Sequence, residues 1–260
     1  MSSELDIRAR SKSRGPSVTM RAMGRPERVA LVTGGTRGIG EAIARGLAAD
    51  GFSVAISGHA GRTVTNAVER IGKDGVPVKG FAADARKEED QKALIDWVER
   101  EFGRLDVLVN NAGIGEFGSV DEISPAVFRE VVETNLFGPF YAIHFAAPLM
   151  KKGGGGFIVN IASLAAINAF AGGAAYNASK FGLLGLSDAA MLDLRHDGIR
   201  IAAILPGSVA TEFSDSHRGR ESSWMLQPDD VARAVSDLVR YPGRAIPSRL
   251  DLRPSHPPKK

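Results

Sequence analysis

Tyr176 and Lys180, four residues apart, are the residues of this sequence best placed to do chemistry. In a helix, positions i and i+4 share one face, so the ammonium lies close to the phenol. A neighbouring positive charge stabilises a phenolate and lowers a pKa that is ordinarily near 10. A phenol tuned in this way is a general acid/base. Ser163, at the end of an apolar run upstream, adds a hydroxyl able to hold a carbonyl oxygen while charge develops on it. The spacing alone also fits a half-buried tyrosine beside a lysine whose ammonium reaches water. Asn135 sits in the middle of a helical pattern, where an amide is a poor helix former. It either kinks the helix for packing or offers its freed backbone and side chain to a water.

A second constellation binds rather than reacts. The run from Val29 to Gly40 reads as a buried strand, a tight turn over Thr33, Gly34 and Arg37, and a helix entered at Gly38, Ile39 and Gly40. Such a junction presents unpaired backbone N–H groups and the positive end of a helix dipole, which together favour a pyrophosphate. The glycine spacing departs from G-x-G-x-x-G, and the turn taken alone also fits one that binds nothing. An acidic residue at the end of the second strand would take the ribose hydroxyls of NAD(H). Here that place holds Ser57, Gly58 and His59, while Arg37 and Arg62 supply positive charge, so NADP(H) is expected over NAD(H). Arg37 also reads as an ordinary surface arginine. Asp84 follows the third strand, where it either borders the ligand crevice or caps a helix. Asn110, Asn111, Ala112 and Gly113 end the fourth strand with small residues and two amides that can stitch neighbouring strands together.

The elements that must position these groups alternate along the chain. Helices are expected over Gly38 to Ala49, Thr63 to Asp74, Lys87 to Phe102, Ser124 to Lys152 with a break near Asn135 and Gly138-Pro139, and Gly172 to Asp197. Strands are expected over Val29 to Val32, Phe52 to Ser57, Val76 to Ala82, Leu105 to Val109, Phe157 to Ile161 and Ile199 to Leu205. This order predicts an α/β fold, a doubly wound parallel sheet of five to seven strands in a single domain.

Composition bounds the rest. The 260 residues suffice for one well-buried domain, and the chain has no cysteine, hence neither a disulfide framework nor a thiolate nucleophile. That suits a cytoplasmic setting. No Cys/His spacing marks a metal site, and none is expected. The net charge of +3 is uneven: both ends are basic and the body from 29 to 243 is mildly acidic. Basic tails without interleaved aromatics read as solvated ends, so neither nucleic acid nor, without an apolar run of about 20 residues, a membrane is expected as partner. Residues 1–26 read as a disordered basic arm, 27–252 as the folded domain and 253–260 as a basic, proline-rich tail.

Taken in order, Thr33-Gly-x-x-x-Gly-Ile-Gly40, Asn110-Asn-Ala-Gly113, Asn135, Ser163, Tyr176-Asn-Ala-Ser-Lys180 and Pro206-Gly207 resemble the short-chain dehydrogenase/reductases over about residues 28 to 252. The resemblance implies a Rossmann fold of three α/β/α layers and direct hydride transfer between NADP(H) and a carbonyl or alcohol. It implies that Tyr176 is the acid/base, that Ser163 orients the carbonyl, and that Lys180 tunes Tyr176 and binds the nicotinamide ribose. Asn135 would hold a relay water. Asp84 would contact the adenine, Asn111 to Gly113 would line the cofactor, and Val209 and Thr211 would meet its carboxamide end. A homodimer or homotetramer built through the helices of Asn135 and Tyr176 is implied as well. The insert from Ser208 to Gln227 carries Phe213, Trp224, Met225 and Leu226, and with Leu164, Ile167 and Phe170 it suggests an uncharged hydrophobic substrate. His217, Arg218 and Arg220 in the same insert leave an acidic substrate open. Two alternatives are a 3-oxoacyl carrier-protein reductase and a cofactor-binding sensor without turnover.

Overall fold

A computed structural model of the chain describes residues 28–73, 75–211 and 223–258. The expected basic arm, Asp74, Phe213, His217, Arg218, Arg220 and the last two lysines of the tail lie outside the described residues. The order of elements is β1 (Val29–Val32), α1 (Gly38–Ala49), β2 (Ser53–Gly58), α2 (Gly61–Gly72), β3 (Val78–Ala82), α3 (Glu88–Phe102) and β4 (Val107–Asn110). It continues with α4 (Pro125–Val132), α5 (Gly138–Lys152), β5 (Gly156–Ile161), α6 (Ala174–Leu194), β6 (Ile199–Pro206), α7 (Pro228–Val239) and β7 (Arg249–Leu252).

The seven strands form one parallel sheet in the order β3-β2-β1-β4-β5-β6-β7, the doubly wound arrangement that the alternation predicts. Strand order reverses between β1 and β4, and in an open parallel sheet the crevice beyond the strand ends at that reversal is where ligands bind. Helices cover both faces, which is why β1 reads as four apolar residues in a row, all fully buried. Ala30 and Val32 join a core with Ile43, Leu47, Val231 and Val235 of α1 and α7. Val29 and Leu31 join the opposite core with Leu94 and Val98 of α3 and Ala146 and Met150 of α5. Among the described residues no helix is long and apolar enough to cross a membrane.

Two elements go beyond the expectation, α7 and β7. Helix α7 is opened by a reciprocal cap between Gln227 and Asp230 with Pro228 in the first turn. The long pattern from Ser124 divides at a π-helical turn, Glu133–Phe137. Pro139 stands where the Asn135 carbonyl would find its i+4 donor and has no N–H to give.

A buried polar chain ties the middle of the sheet to α6. Asn110 Nδ2 donates to Asn160 Oδ1 at 2.8 Å, Asn160 Nδ2 to Ser187 Oγ at 2.8 Å, and Ser187 Oγ to the Leu183 carbonyl at 2.6 Å. Replacing its middle member strands a buried amide without an acceptor. Asn160→Ala should therefore lower stability by about 1–3 kcal/mol, read as an earlier midpoint of chemical unfolding at unchanged slope.

Candidate active site

The mouth of the sheet is organised around the turn after β1. Gly34 and Gly38 adopt φ of 62° and 55°, in the left-handed region that only glycine enters cheaply. A Cβ at residue 40 would lie 2.2 Å from the Gly34 carbonyl oxygen and 2.5 Å from Asn111 Nδ2, so α1 approaches the turn as closely as backbone allows. Thr33 and Asn111 lock the ends of β1 and β4 together. Thr33 Oγ1 accepts from the Asn111 and Ala112 N–H groups at 3.1 Å each. Asn111 Nδ2 donates to the Thr33 carbonyl at 3.1 Å and the Gly34 carbonyl at 3.0 Å. The turn is steadied from outside by Arg70, which donates to the Thr36 carbonyl at 2.8 Å and to Glu41 at 2.9 Å.

These residues fit a dinucleotide. The close-approach glycines leave backbone N–H groups and the α1 N-terminus facing the crevice, where a phosphate gains most. Gly38 lies against Thr211, whose Cγ2 would be 3.5 Å from a Cβ there, so Thr211 borders the glycine turn. Val209 pairs with Leu226 in an isolated bridge, and Gly207 N–H donates to the Leu252 carbonyl at 2.7 Å, which anchors Pro206 and Gly207 to the sheet edge. A Cβ at Gly113 would come within 3.1 Å of Asn135 Oδ1. Asp84 reaches the mouth but is already engaged. Arg86 binds its carboxylate through Nε at 3.0 Å and Nη2 at 2.7 Å, His59 lies at 3.5 Å, and only 8 % of its side chain is exposed. The Arg86 guanidinium holds this carboxyl below the usual range against the opposing effect of burial. Asp84 does not cap α3, whose N-cap is Lys87.

The groups able to handle a proton stand on the far side of the crevice. The Tyr176 hydroxyl hydrogen-bonds Ser163, whose Oγ accepts from the Ala165 N–H at 3.1 Å at the start of a short helical turn. Lys180 is buried and donates from Nζ to the Ile161 carbonyl at 3.0 Å, with Nζ 5.7 Å from the Tyr176 ring centroid. The expected fall in the tyrosine pKa is not what the protein alone produces. Burial raises the Tyr176 pKa, and the hydrogen bond with Ser163 only partly opposes it. The strain falls on the lysine instead, whose pKa burial lowers to about 8.

Asn135 sits in the π turn that interrupts the helix, with its side chain held by protein groups. It is fully buried in the π turn, and its carboxamide accepts from the Ile114 N–H at 2.9 Å and donates to the Ile114 carbonyl at 2.9 Å and Ser179 Oγ at 3.0 Å. Both amide hydrogens are engaged, which leaves the second lone pair of Oδ1 as the side chain's remaining acceptor.

Several residues that shape the mouth were not singled out from the sequence. Phe117 packs edge-on to the Tyr176 ring, with centroids 5.6 Å apart. Asn177 donates to the Ala165 and Asn168 carbonyls at 2.8 and 3.3 Å, fixing the loop after β5. Thr36 fills the space beside Gly58, where a Cβ would lie 2.6 Å from Thr36 Cγ2. Asn177 had a local signal, a polar residue next to Tyr176 on a core helix; Phe117 and Thr36 had none. Among the described residues no three His, Cys, Asp or Glu side chains gather as metal ligands.

The unfolded chain keeps lysine at its ordinary 10.5 while the folded protein holds Lys180 near 8, so unfolding takes up a proton between those values. This group therefore adds stability as pH rises through that window. In the protein without ligand, the Cε resonance assigned by comparison with Lys180→Met should titrate near pH 8, well before the exposed lysines. A midpoint with the bulk near 10.5 would contradict the buried assignment.

Residues 28–222 match the family described as short chain dehydrogenase. The chain is 35% identical over 219 residues to a cyclohexanol dehydrogenase of Acinetobacter sp. (strain SE19), covering 82% of this chain and 87% of that one. It is 37% identical over 230 residues to a 3alpha-hydroxysteroid dehydrogenase of Mediterraneibacter gnavus, covering 82% and 92%. The crystal structure of a metagenomic short-chain oxidoreductase in complex with NADP superposes with a TM-score of 0.78 at 34% identity, covering 88% of this chain and 98% of that chain. With the parallel sheet, the glycine turn and these matches together, the chain belongs to the short-chain dehydrogenase family of oxidoreductases.

Proposed function

We propose that this chain is an NADP(H)-dependent carbonyl reductase or alcohol dehydrogenase in which Tyr176 is the general acid/base. The observation that carries the reading is the Tyr176 hydroxyl hydrogen-bonded to Ser163 just beyond the end of β5. When bound, the nicotinamide cofactor supplies or accepts the hydride. Ser163 Oγ holds the substrate oxygen, and the Tyr176 hydroxyl donates its proton to that oxygen as negative charge builds. The Lys180 ammonium, 5.7 Å from the ring centroid, makes the phenolate left behind less costly, and it would hold the nicotinamide ribose. Asn135 holds the loop at Ile114 against α6 and keeps the mouth in register with Tyr176.

The turn from Thr33 to Gly40 holds the pyrophosphate, with Asn111, Ala112, Gly113, Pro206, Gly207, Val209 and Thr211 along the rest of the cofactor. Two features support NADP(H). Thr36 leaves no room for a side chain at Gly58, so the carboxylate that would select NAD(H) is absent on steric grounds as well as in sequence. Arg37, exposed in the glycine turn, is then the cation for a 2′-phosphate. Asp84 borders the adenine, with Arg86 held between it and Glu130. Buried engagement of Asn135 and Lys180 beside Ser163 and Tyr176 favours turnover over the sensor alternative, which needs none of these four together. The cysteine-free chain suits a cytoplasmic enzyme.

Phe137, Phe140 and Phe181 lie exposed on the outer faces of the π turn, α5 and α6, and Phe137 stacks on Tyr141. Such a patch is what a self-complementary pairing of two copies would bury. Phe140→Glu should convert the oligomer to monomer in sedimentation velocity; a monomeric wild-type protein would sink this part of the reading.

Initial rates with NADPH and NADH on a panel of ketones and aldehydes test the main reading. Tyr176→Phe should lose about 10²–10⁴-fold in kcat while still binding NADPH. Arg37→Ala should raise KM for NADPH about tenfold and leave NADH nearly unaffected. Full turnover in Tyr176→Phe would remove its assignment as the acid/base.

A further inference from the structure

Two loops at the mouth carry large aromatic side chains that remain about half exposed. Phe117, beyond Gly113, and Phe170, beyond β5, are 46% and 47% exposed. Their ring centroids lie 5.8 Å apart, and Phe117 lies 5.6 Å from Tyr176, so three rings run outward from the phenol. Among the described residues the other large exposed phenylalanines, Phe128, Phe137, Phe140 and Phe181, are on helices or the π turn.

The arrangement is built into the backbone. The Gly118 N–H donates to the Gly172 carbonyl at 2.8 Å, and Gly118 pairs with Gly173 in a parallel bridge that ties one loop to the other. Gly172 has a φ of 76°, and a Cβ at Gly173 would lie 2.3 Å from Asn177 Oδ1 and 2.7 Å from the Phe170 ring. The absent side chain at 173 is thus the space in which the Phe170 ring lies. Asn177 fixes the same loop from beneath, accepting from the Phe170 N–H at 3.4 Å as well as donating to Ala165 and Asn168. Charge points the same way. Residues 153–179 contain no charged side chain, and the loop from 111 to 124 contains Glu116, Asp121 and Glu122 but no lysine or arginine. The two loops offer an anionic substituent no cation of their own, while an uncharged π surface meets ring faces and edges that favour it.

We propose that Phe117 and Phe170 form a subsite for an uncharged aryl ring carried on the substrate carbonyl. This rests on the reading of Tyr176 as proton donor. Aromatic contacts of this kind correspond to a preference of about 3- to 10-fold for an aryl over a saturated ring of like size. The test compares kcat/KM for acetophenone and cyclohexyl methyl ketone in the wild type, Phe117→Leu and Phe170→Leu, each with its preferred nicotinamide cofactor. Leucine keeps the site apolar and removes the ring. The aryl preference should be present in the wild type and fall toward unity in both variants. Equal values in the wild type, or a preference that survives both substitutions, would overturn the subsite. A second arm measures binding of 1-phenylethanol and 1-cyclohexylethanol to the wild type and the two variants by ligand-observed NMR. If no ketone or aldehyde on the panel turns over, the carbonyl-reductase reading fails, and the binding ratio alone then decides the subsite: aryl selectivity lost in the leucine variants upholds it, and no selectivity ends it.

Discussion

The lock between Thr33 and Asn111 is the constraint on which the mouth depends. Parallel strands must part somewhere for a crevice to open, and β1 and β4 part with their helices on opposite faces of the sheet. Backbone groups at such a divergence would be left unpaired. One threonine hydroxyl and one asparagine amide take up four of them across the gap. The glycine turn is thereby held in a conformation that it would otherwise reach at an entropic cost, and the N-terminus of α1 is aimed before any ligand arrives. Arg70 and Glu41 extend the same bracing to the outer side of the turn.

The opposite wall of the crevice works by burial. Tyr176 and Lys180 are held where water is scarce, and both ionised forms are disfavoured there. The ammonium compensates with the Ile161 carbonyl and the phenol with Ser163, so neither partner is yet directed mainly at the other. Burial without full compensation is typical of groups positioned for chemistry rather than for stability.

What could be read from the sequence was local. Strands buried on both faces show as apolar runs, so β1, β4, β5 and β6 stood out, and the turn that follows β1 was marked by its glycines. The spacing of Tyr176 and Lys180 follows from helical geometry alone. Strand β7 was hidden because it lies at the sheet edge and reads Arg-Leu-Asp-Leu, with Arg249 and Asp251 paired in the open. Helix α7 carries an apolar period in Val231, Val235 and Leu238 and a proline at its start, signals that are legible in the sequence. The role of Asn135 depends on Ile114 and Ser179, and the neighbourhood of Phe117 depends on the bridge to Gly173. Those contacts join segments far apart in sequence, where no periodicity reports them.

The π turn between α4 and α5 has a consequence for rotational phase. An α-helix advances about 100° per residue, so one residue wound in beyond the regular repeat rotates everything after it by about that angle. Here the turn lets α4 present Val131 inward and α5 present Ala142 and Ala146 to the sheet, while Phe140 faces out. Deleting a single residue from Glu133–Phe137 would take out that extra rotation, while Pro139 would still interrupt the hydrogen-bond ladder. It would also turn the buried face of α5, Ala142, Ile143, Ala146 and Met150, off the sheet. The five residues around Asn135 thus act as a phase shifter, letting one helical stretch face two differently oriented surfaces.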